Sequence, residues 1–131
     1  MIFEHFAINV NEPLAVRDWY CEHLELKVAW QMDKPPYMLF LADSTGRVVC
    51  ELYHRPEFPI IEYGQQHQLT FHFAFESENA EADKNRLLAC GASFVEEVKT
   101  EDGSHIVMLR DPWGLPLQLC QRTQRLNSVN I

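Results

Sequence analysis

Two histidines, a glutamate and a glutamine stand at matched positions in the two halves of this chain. His5 opens the stretch His5-Phe6-Ala7-Ile8 and His72 opens His72-Phe73-Ala74-Phe75, an offset of 72 − 5 = 67. The same offset carries residues 48–55 onto 115–122, so Glu51 falls on Gln118 and Leu52 on Leu119. Two imidazoles and two oxygen donors suit a divalent transition metal. Imidazole fits Ni, Zn, Co, Mn or Fe, and carboxylate and amide oxygens add harder donors. Four protein ligands leave room in an octahedron for water or substrate, as a catalytic ion requires. A lone strand histidine is more commonly a hydrogen-bonded structural residue; the shared offset sets this group apart. His23, His54, His67 and His105 lack the match and read as surface or supporting groups. His67, five positions before His72, takes the opposite strand parity.

The elements that must position these residues also repeat. Ile2–Val10 alternates and carries strand formers, with Phe3, His5, Ala7 and Asn9 on one face and Phe6, Ile8 and Val10 on the other. Asn11 or Glu12 can cap a helix that has Pro13 in its first turn and runs to about Leu24. Strands follow at 26–30, 37–42 and 47–53, the last two joined by the turn Asp43-Ser44-Thr45-Gly46. The order is β-α-β-β-β. The second half predicts the same: a strand over 68–75, a helix capped by Ser77 and stopped at Gly91, and strands at 93–99, 105–110 and 115–121. Residues 55–66 hold Pro56, Pro59 and Gly64 and serve as the connection, or as a flap whose Phe58, Ile60, Ile61 and Tyr63 pack on something. The expected architecture is α+β: two tandem β-α-β-β-β modules forming a curved mixed sheet around a metal or ligand cavity. One domain then spans 1–123, with module one over about 1–54 and module two over about 67–123; residues 124–131 form a polar tail. Tyr53 shares the face of Glu51, and Cys120 the face of Gln118. Both are pocket candidates, as is Trp113 in the turn Asp111-Pro112-Trp113-Gly114. Packing accounts for each equally well. Arg55 and Arg122 also match at the offset and could meet an anionic substrate; solvated strand ends are the simpler role.

Composition narrows the classes of function. The chain has 131 residues, a size for one compact domain, and 47% hydrophobic content, which sets it apart from disordered chains. A formal net charge of −8 argues against nucleic acid as partner. No secretory leader or membrane-spanning run is visible, so a cytoplasmic location with Cys21, Cys50, Cys90 and Cys120 as reduced thiols is expected.

At these residues the chain resembles the vicinal oxygen chelate superfamily, which holds glyoxalase I, methylmalonyl-CoA epimerase, extradiol dioxygenases, fosfomycin-resistance thiol transferases and metal-free bleomycin-resistance proteins. The resemblance rests on His5-Phe6-Ala7-Ile8, Trp19-Tyr20 with Leu24-Glu25-Leu26, Cys50-Glu51-Leu52, His72-Phe73-Ala74-Phe75, and Asp111-Pro112-Trp113-Gly114 followed by Gln118-Leu119. It implies the paired β-α-β-β-β fold, a divalent metal on His5, Glu51, His72 and Gln118, a small-molecule substrate and a homodimer. Glyoxalase I is similar in the order His, Glu, His, Glu. Here the fourth position is Gln118, and an amide takes no proton near neutral pH. The resemblance therefore implies Glu51 as the catalytic base of a glyoxalase-like isomerase or lyase that works through an enediolate. An extradiol-type dioxygenase and a metal-free binding or resistance protein are the alternatives. With Glu51 as the one anionic ligand, a divalent ion leaves the site at net +1, which favours an anionic substrate.

Overall fold

The computed structural model describes residues 1–126. Two compact units divide the chain, Met1–Ile61 and a second from Glu62 onward. The first holds β1 (Phe6–Asn9), α1 (Pro13–His23), β2 (Lys27–Gln31), β3 (Leu39–Ala42) and β4 (Val48–Tyr53). The second holds a 3₁₀ turn (Tyr63–Gln65), β5 (Phe73–Glu76), α2 (Ala80–Ala89), β6 (Ser93–Lys99), β7 (His105–Arg110) and β8 (Pro116–Gln121). Each unit is thus β-α-β-β-β with its own four-stranded mixed sheet, ordered β1-β4-β3-β2 and β5-β8-β7-β6. The first strand of each unit pairs in parallel with the last, and the remaining pairs are antiparallel. Among the described residues no helix is long and apolar enough to cross a membrane.

Strand alternation decides which face is core. Leu39, Leu41 and Leu52 are almost fully buried, as are Val107, Leu109, Leu117 and Leu119. Cross-strand pairing puts each set on one face of its sheet. The helix covers that face. Arg17 of α1 donates to Gln31 Oε1 (2.9 Å), and Gln31 pairs with Leu39. Lys84 of α2 reaches Glu97, which pairs with Val107. Burial of these leucines supplies most of the driving force, about 1.5–3 kcal/mol for each side chain. The opposite faces carry Ala7, Glu51, Phe40 and Trp30 in one unit, and Ala74, Gln118, Met108 and Glu96 in the other.

The duplication is tighter than sequence alone indicates, and its offset varies. Ala7↔Glu51 and Ala74↔Gln118 keep the offset of 67. Trp30↔Phe40 corresponds to Glu96↔Met108, offsets of 96 − 30 = 66 and 108 − 40 = 68. The same bulge recurs in that pair, between Val28 and Trp30 and between Phe94 and Glu96. Val49, two positions before Glu51, is the extra residue of a bulge, because Ala42 pairs Val48 while Leu41 pairs Cys50.

Several element ends differ from expectation. β1 begins at Phe6, and Met1–Phe3 is exposed rather than paired. β5 begins at Phe73. Ahead of it, Thr70 N–H donates to the His67 carbonyl (2.9 Å) and Leu69 N–H to His67 Nδ1 (3.1 Å), closing a turn that interrupts the expected strand. The parity argument against His67 therefore has no strand to rest on. Asn79, not Ser77, caps α2 by accepting from Ala82 N–H (3.0 Å). The Ser77 hydroxyl instead donates to Asp83 (2.6 Å). Glu12 holds the N-cap position of α1, and its side chain makes no capping hydrogen bond to the helix. Trp19 and Tyr20 of α1 are core, and Leu24 just after it is half-buried. In the connection, Phe58 and Ile61 are exposed, contrary to a packed flap. Asn9 holds its first part through Arg55 N–H and carbonyl (both 2.8 Å), and Arg110 holds its second through the Tyr63 (3.1 Å) and Gln66 (2.6 Å) carbonyls. Residues 127–131 of the expected tail lie outside the described residues; within 124–126, Arg125 pairs with Glu76.

Glu97 also sets an acid limit to stability. His105 Nε2 lies 2.7 Å from its carboxylate, and this hydrogen bond, helped by Lys84, holds Glu97 below the usual glutamate range. A lowered folded value contributes stability above the unfolded value, roughly pH 4.3. That contribution is lost as pH falls through the folded value. Denaturant midpoints should fall on acidification below about pH 4. Glu97→Gln should flatten the fall, and a slope unchanged by the substitution would contradict this account.

Candidate functional site

In the first unit, β1 runs parallel to β4 so that Ala7 sits beside Glu51, and His5 lies two positions earlier on the same side. His5 Nε2 comes 3.0 Å from Glu51 Oε2. The other ring nitrogen, Nδ1, donates to Glu4 Oε1 at 3.0 Å, and Phe40 packs edge-on against the ring at 5.1 Å. Side-chain exposures of 26% for His5 and 14% for Glu51 leave the pair reachable from solvent but sheltered. The imidazole thus lies between two carboxylates, Glu4 at Nδ1 and Glu51 at Nε2. A proton on Nε2 satisfies this approach, and a divalent ion would take the same pair of donors, an imidazole nitrogen and a carboxylate oxygen. A carboxylate behind a ligating imidazole is the usual orienting arrangement.

The second unit repeats the plan with different chemistry. Ala74 sits beside Gln118, and His72 lies two positions before Ala74. His72 Nδ1 donates to the Gln68 carbonyl (3.1 Å), which leaves the lone pair on Nε2. Gln118 Oε1 accepts from the Cys120 thiol (3.2 Å). Gln118 also lines an open cavity of about 270 Å³ with Glu96, Glu97, Val98, Ile106 and Met108. Each unit thus presents an imidazole and an oxygen donor at equivalent registers. Only the first has a carboxylate there.

The family profile for the glyoxalase/bleomycin resistance protein/dioxygenase superfamily matches residues 2–119. The chain belongs to that superfamily. Several solved structures share its fold. TnmS3, an antibiotic-binding protein from Streptomyces sp. CB03234, is 19% identical, covers 94% of this chain and 97% of its own, and has a TM-score of 0.68. A lactoylglutathione lyase from Agrobacterium tumefaciens is 19% identical, with 92% of each chain covered and a TM-score of 0.66. UcmS2 is 22% identical over 93% of this chain and 98% of its own, with a TM-score of 0.72. No curated protein matches by sequence.

In this superfamily member the remaining pocket candidates are occupied in definite ways. Tyr53 is half-buried beneath the Arg55 guanidinium, 5.8 Å from ring centroid to Cζ, and Arg55 also meets Glu57 (3.6 Å). Trp113 N–H donates to Asp111 Oδ1 (2.9 Å) in the β7–β8 turn. Cys120 is buried, and burial pushes its thiol up. Burial pushes Cys50, on the helix-side face, up to about 12. Both thiols should stay protonated at pH 7.5 and resist iodoacetamide in the native protein, reacting only on denaturation. Peptide mass mapping of the alkylated protein checks this; early labelling of Cys120 would count against it.

A second cluster lies on the opposite, helix-covered side of the second sheet and was not visible in the spacing of the sequence. Ligand atoms of Glu81, Glu97 and His105 lie within 4.8 Å of one another. Lys84 already stands among them, 2.9 Å from Glu81 and 3.3 Å from Glu97, so an ammonium satisfies this group without an ion. His105, expected as a surface or supporting group, is buried here and holds Glu97. The bulge before Glu96 decides that Glu97 faces the helix, and a bulge carries no composition signal.

Proposed function

We propose that the chain is a metal-dependent isomerase or lyase acting on a small 2-oxo compound or thiol adduct. The observation that carries this is the His5–Glu51 approach of 3.0 Å with Glu4 behind the imidazole. His5 and Glu51 offer two ligands for a divalent ion, and His72 and Gln118 offer the equivalent two. The ion supplies Lewis-acid polarisation of adjacent substrate oxygens when bound. Glu51 is the group able to take a proton from the carbon beside a substrate carbonyl and return it to the neighbouring carbon, an isomerisation through an enediolate. Gln118 cannot take that proton and would serve as a neutral ligand. A homodimer belongs to the same proposal, supported by the exposed Val28 and Trp30 on the edge strand β2 and tested by sedimentation. Four cysteines without disulfides support a reducing compartment such as the cytoplasm.

Elemental analysis of protein purified without added metal, followed by isomerisation of the glutathione–methylglyoxal hemithioacetal with Ni or Zn, tests the proposal. Stoichiometric metal and a metal-dependent rate are expected; absence of both overturns it. Fe(II)-dependent oxygen uptake with catechols would instead favour an extradiol-type dioxygenase. A metal-free small-molecule binding protein is favoured by one observation, the Gln118 amide held by the Cys120 thiol where a second carboxylate would strengthen metal binding. It predicts no bound metal and a ligand-dependent rise in Tm.

A further inference from the structure

The open cavity of the second unit has a defined floor. Register places Gln118, Met108 and Glu96 in one row across β8, β7 and β6, and Cys120, Ile106 and Val98 in the next. Five of these six residues line the cavity. Its two acids have different fates. The Glu97 carboxylate turns to the helix side and is held by His105 and Lys84. Glu96 stays on the cavity side. Gln68 Nε2 donates to its Oε1 (3.1 Å), leaving Oε2 for an incoming donor. At the other end of the row, the thiol of Cys120 occupies Gln118 Oε1, which leaves the amide N–H₂ to donate. Two strand spacings, roughly 10 Å, separate the row's ends. Between them lie the apolar side chains of Met108, Ile106 and Val98.

We propose that this cavity is a subsite for an amphipathic organic cation. Its amine docks on Glu96, its apolar body lies on Met108, Ile106 and Val98, and an oxygen at its far end accepts from Gln118. Glu96 is the specificity-determining residue, because it is the one carboxylate the cavity offers that another cation does not already hold. The first unit has Trp30 at the equivalent position, so the acid is peculiar to the second. The inference rests on the chain being a small-molecule-binding protein, and not on a metal at His5 and Glu51.

Tyramine is a suitable probe, with an amine and a phenolic oxygen at the ends of an apolar body. Its anionic counterpart is 3-(4-hydroxyphenyl)propionate. Calorimetric titration of the full chain in EDTA should show tyramine binding and no binding of the acid. Glu96→Gln should weaken tyramine by about tenfold, the loss of one charge-assisted hydrogen bond. Glu22→Gln, an exposed carboxylate on α1, should leave tyramine binding unchanged, and binding in EDTA separates this result from that of the metal assay. Equal binding of amine and acid, no tyramine binding, or an unaltered affinity in a folded Glu96→Gln variant would each overturn the proposal.

Discussion

Glu51→Gln is expected to abolish the proposed isomerisation, lowering kcat by about 10²–10⁴-fold, the usual contribution of a positioned general base. The fold should be retained, because the second unit already carries an amide at the equivalent register, Gln118 beside Ala74. The comparison between units also supplies the reverse experiment. Gln118→Glu would place a second carboxylate where the Cys120 thiol can still donate to it, and should raise metal affinity measured by competition with a chromophoric chelator. His5→Ala removes a ligand without removing the base, so its loss should appear first as metal occupancy and be partly recovered at high metal concentration. A Glu51→Gln variant with full activity would remove Glu51 from the chemistry, whatever the metal content.

Gly114→Ala should be among the most destabilising single substitutions in the chain, costing about 2–5 kcal/mol. Two effects combine. Gly114 has φ +88°, and a Cβ there would stand 2.5 Å from Gly64 Cα and 2.6 Å from Gly64 N. Those neighbours are backbone and cannot swing away. Arg110 further fixes the approach by donating to the carbonyls of Gly114 (3.0 Å) and Tyr63 (3.1 Å), while buried Asp111 accepts from Leu115 N–H (2.9 Å). The first unit provides the control. Gly46 sits in the matching turn, where Gly46 N–H donates to Asp43 as Gly114 N–H does to Asp111 (both 3.0 Å). It has φ +87° with nothing within 4 Å of its would-be Cβ. Gly46→Ala should therefore cost only the conformational part, about 1–2 kcal/mol. Urea denaturation of the two variants checks the difference, and equal losses would show that the close approach contributes nothing.

The sequence by itself determined the duplication, the α+β class and the four site candidates. His5, Glu51, His72 and Gln118 are legible because β1 and β4 keep one offset with β5 and β8, and because residue types repeat along with it. Alternation on the central strands was legible too, since Leu39, Leu41, Leu117 and Leu119 must all leave water on one side. Short-range polar competition was less legible. The His67 turn ends what reads as a longer strand, and Asn79 wins the capping position from Ser77, because such contests turn on local geometry rather than on residue type.

Only the tertiary structure decided what stands beside each site residue. At a fixed offset of 67, Trp30 would correspond to Glu97 and Phe40 to Val107. Pairing shows Glu96 and Met108 instead, because the connections between strands differ in length by one or two residues, while the bulge is common to β2 and β6. A shift of one residue reverses the face of a side chain. That is why Glu96 lines the cavity with Gln118 while Glu97 turns to His105 and Lys84, a division that hydrogen-bond register sets and composition does not.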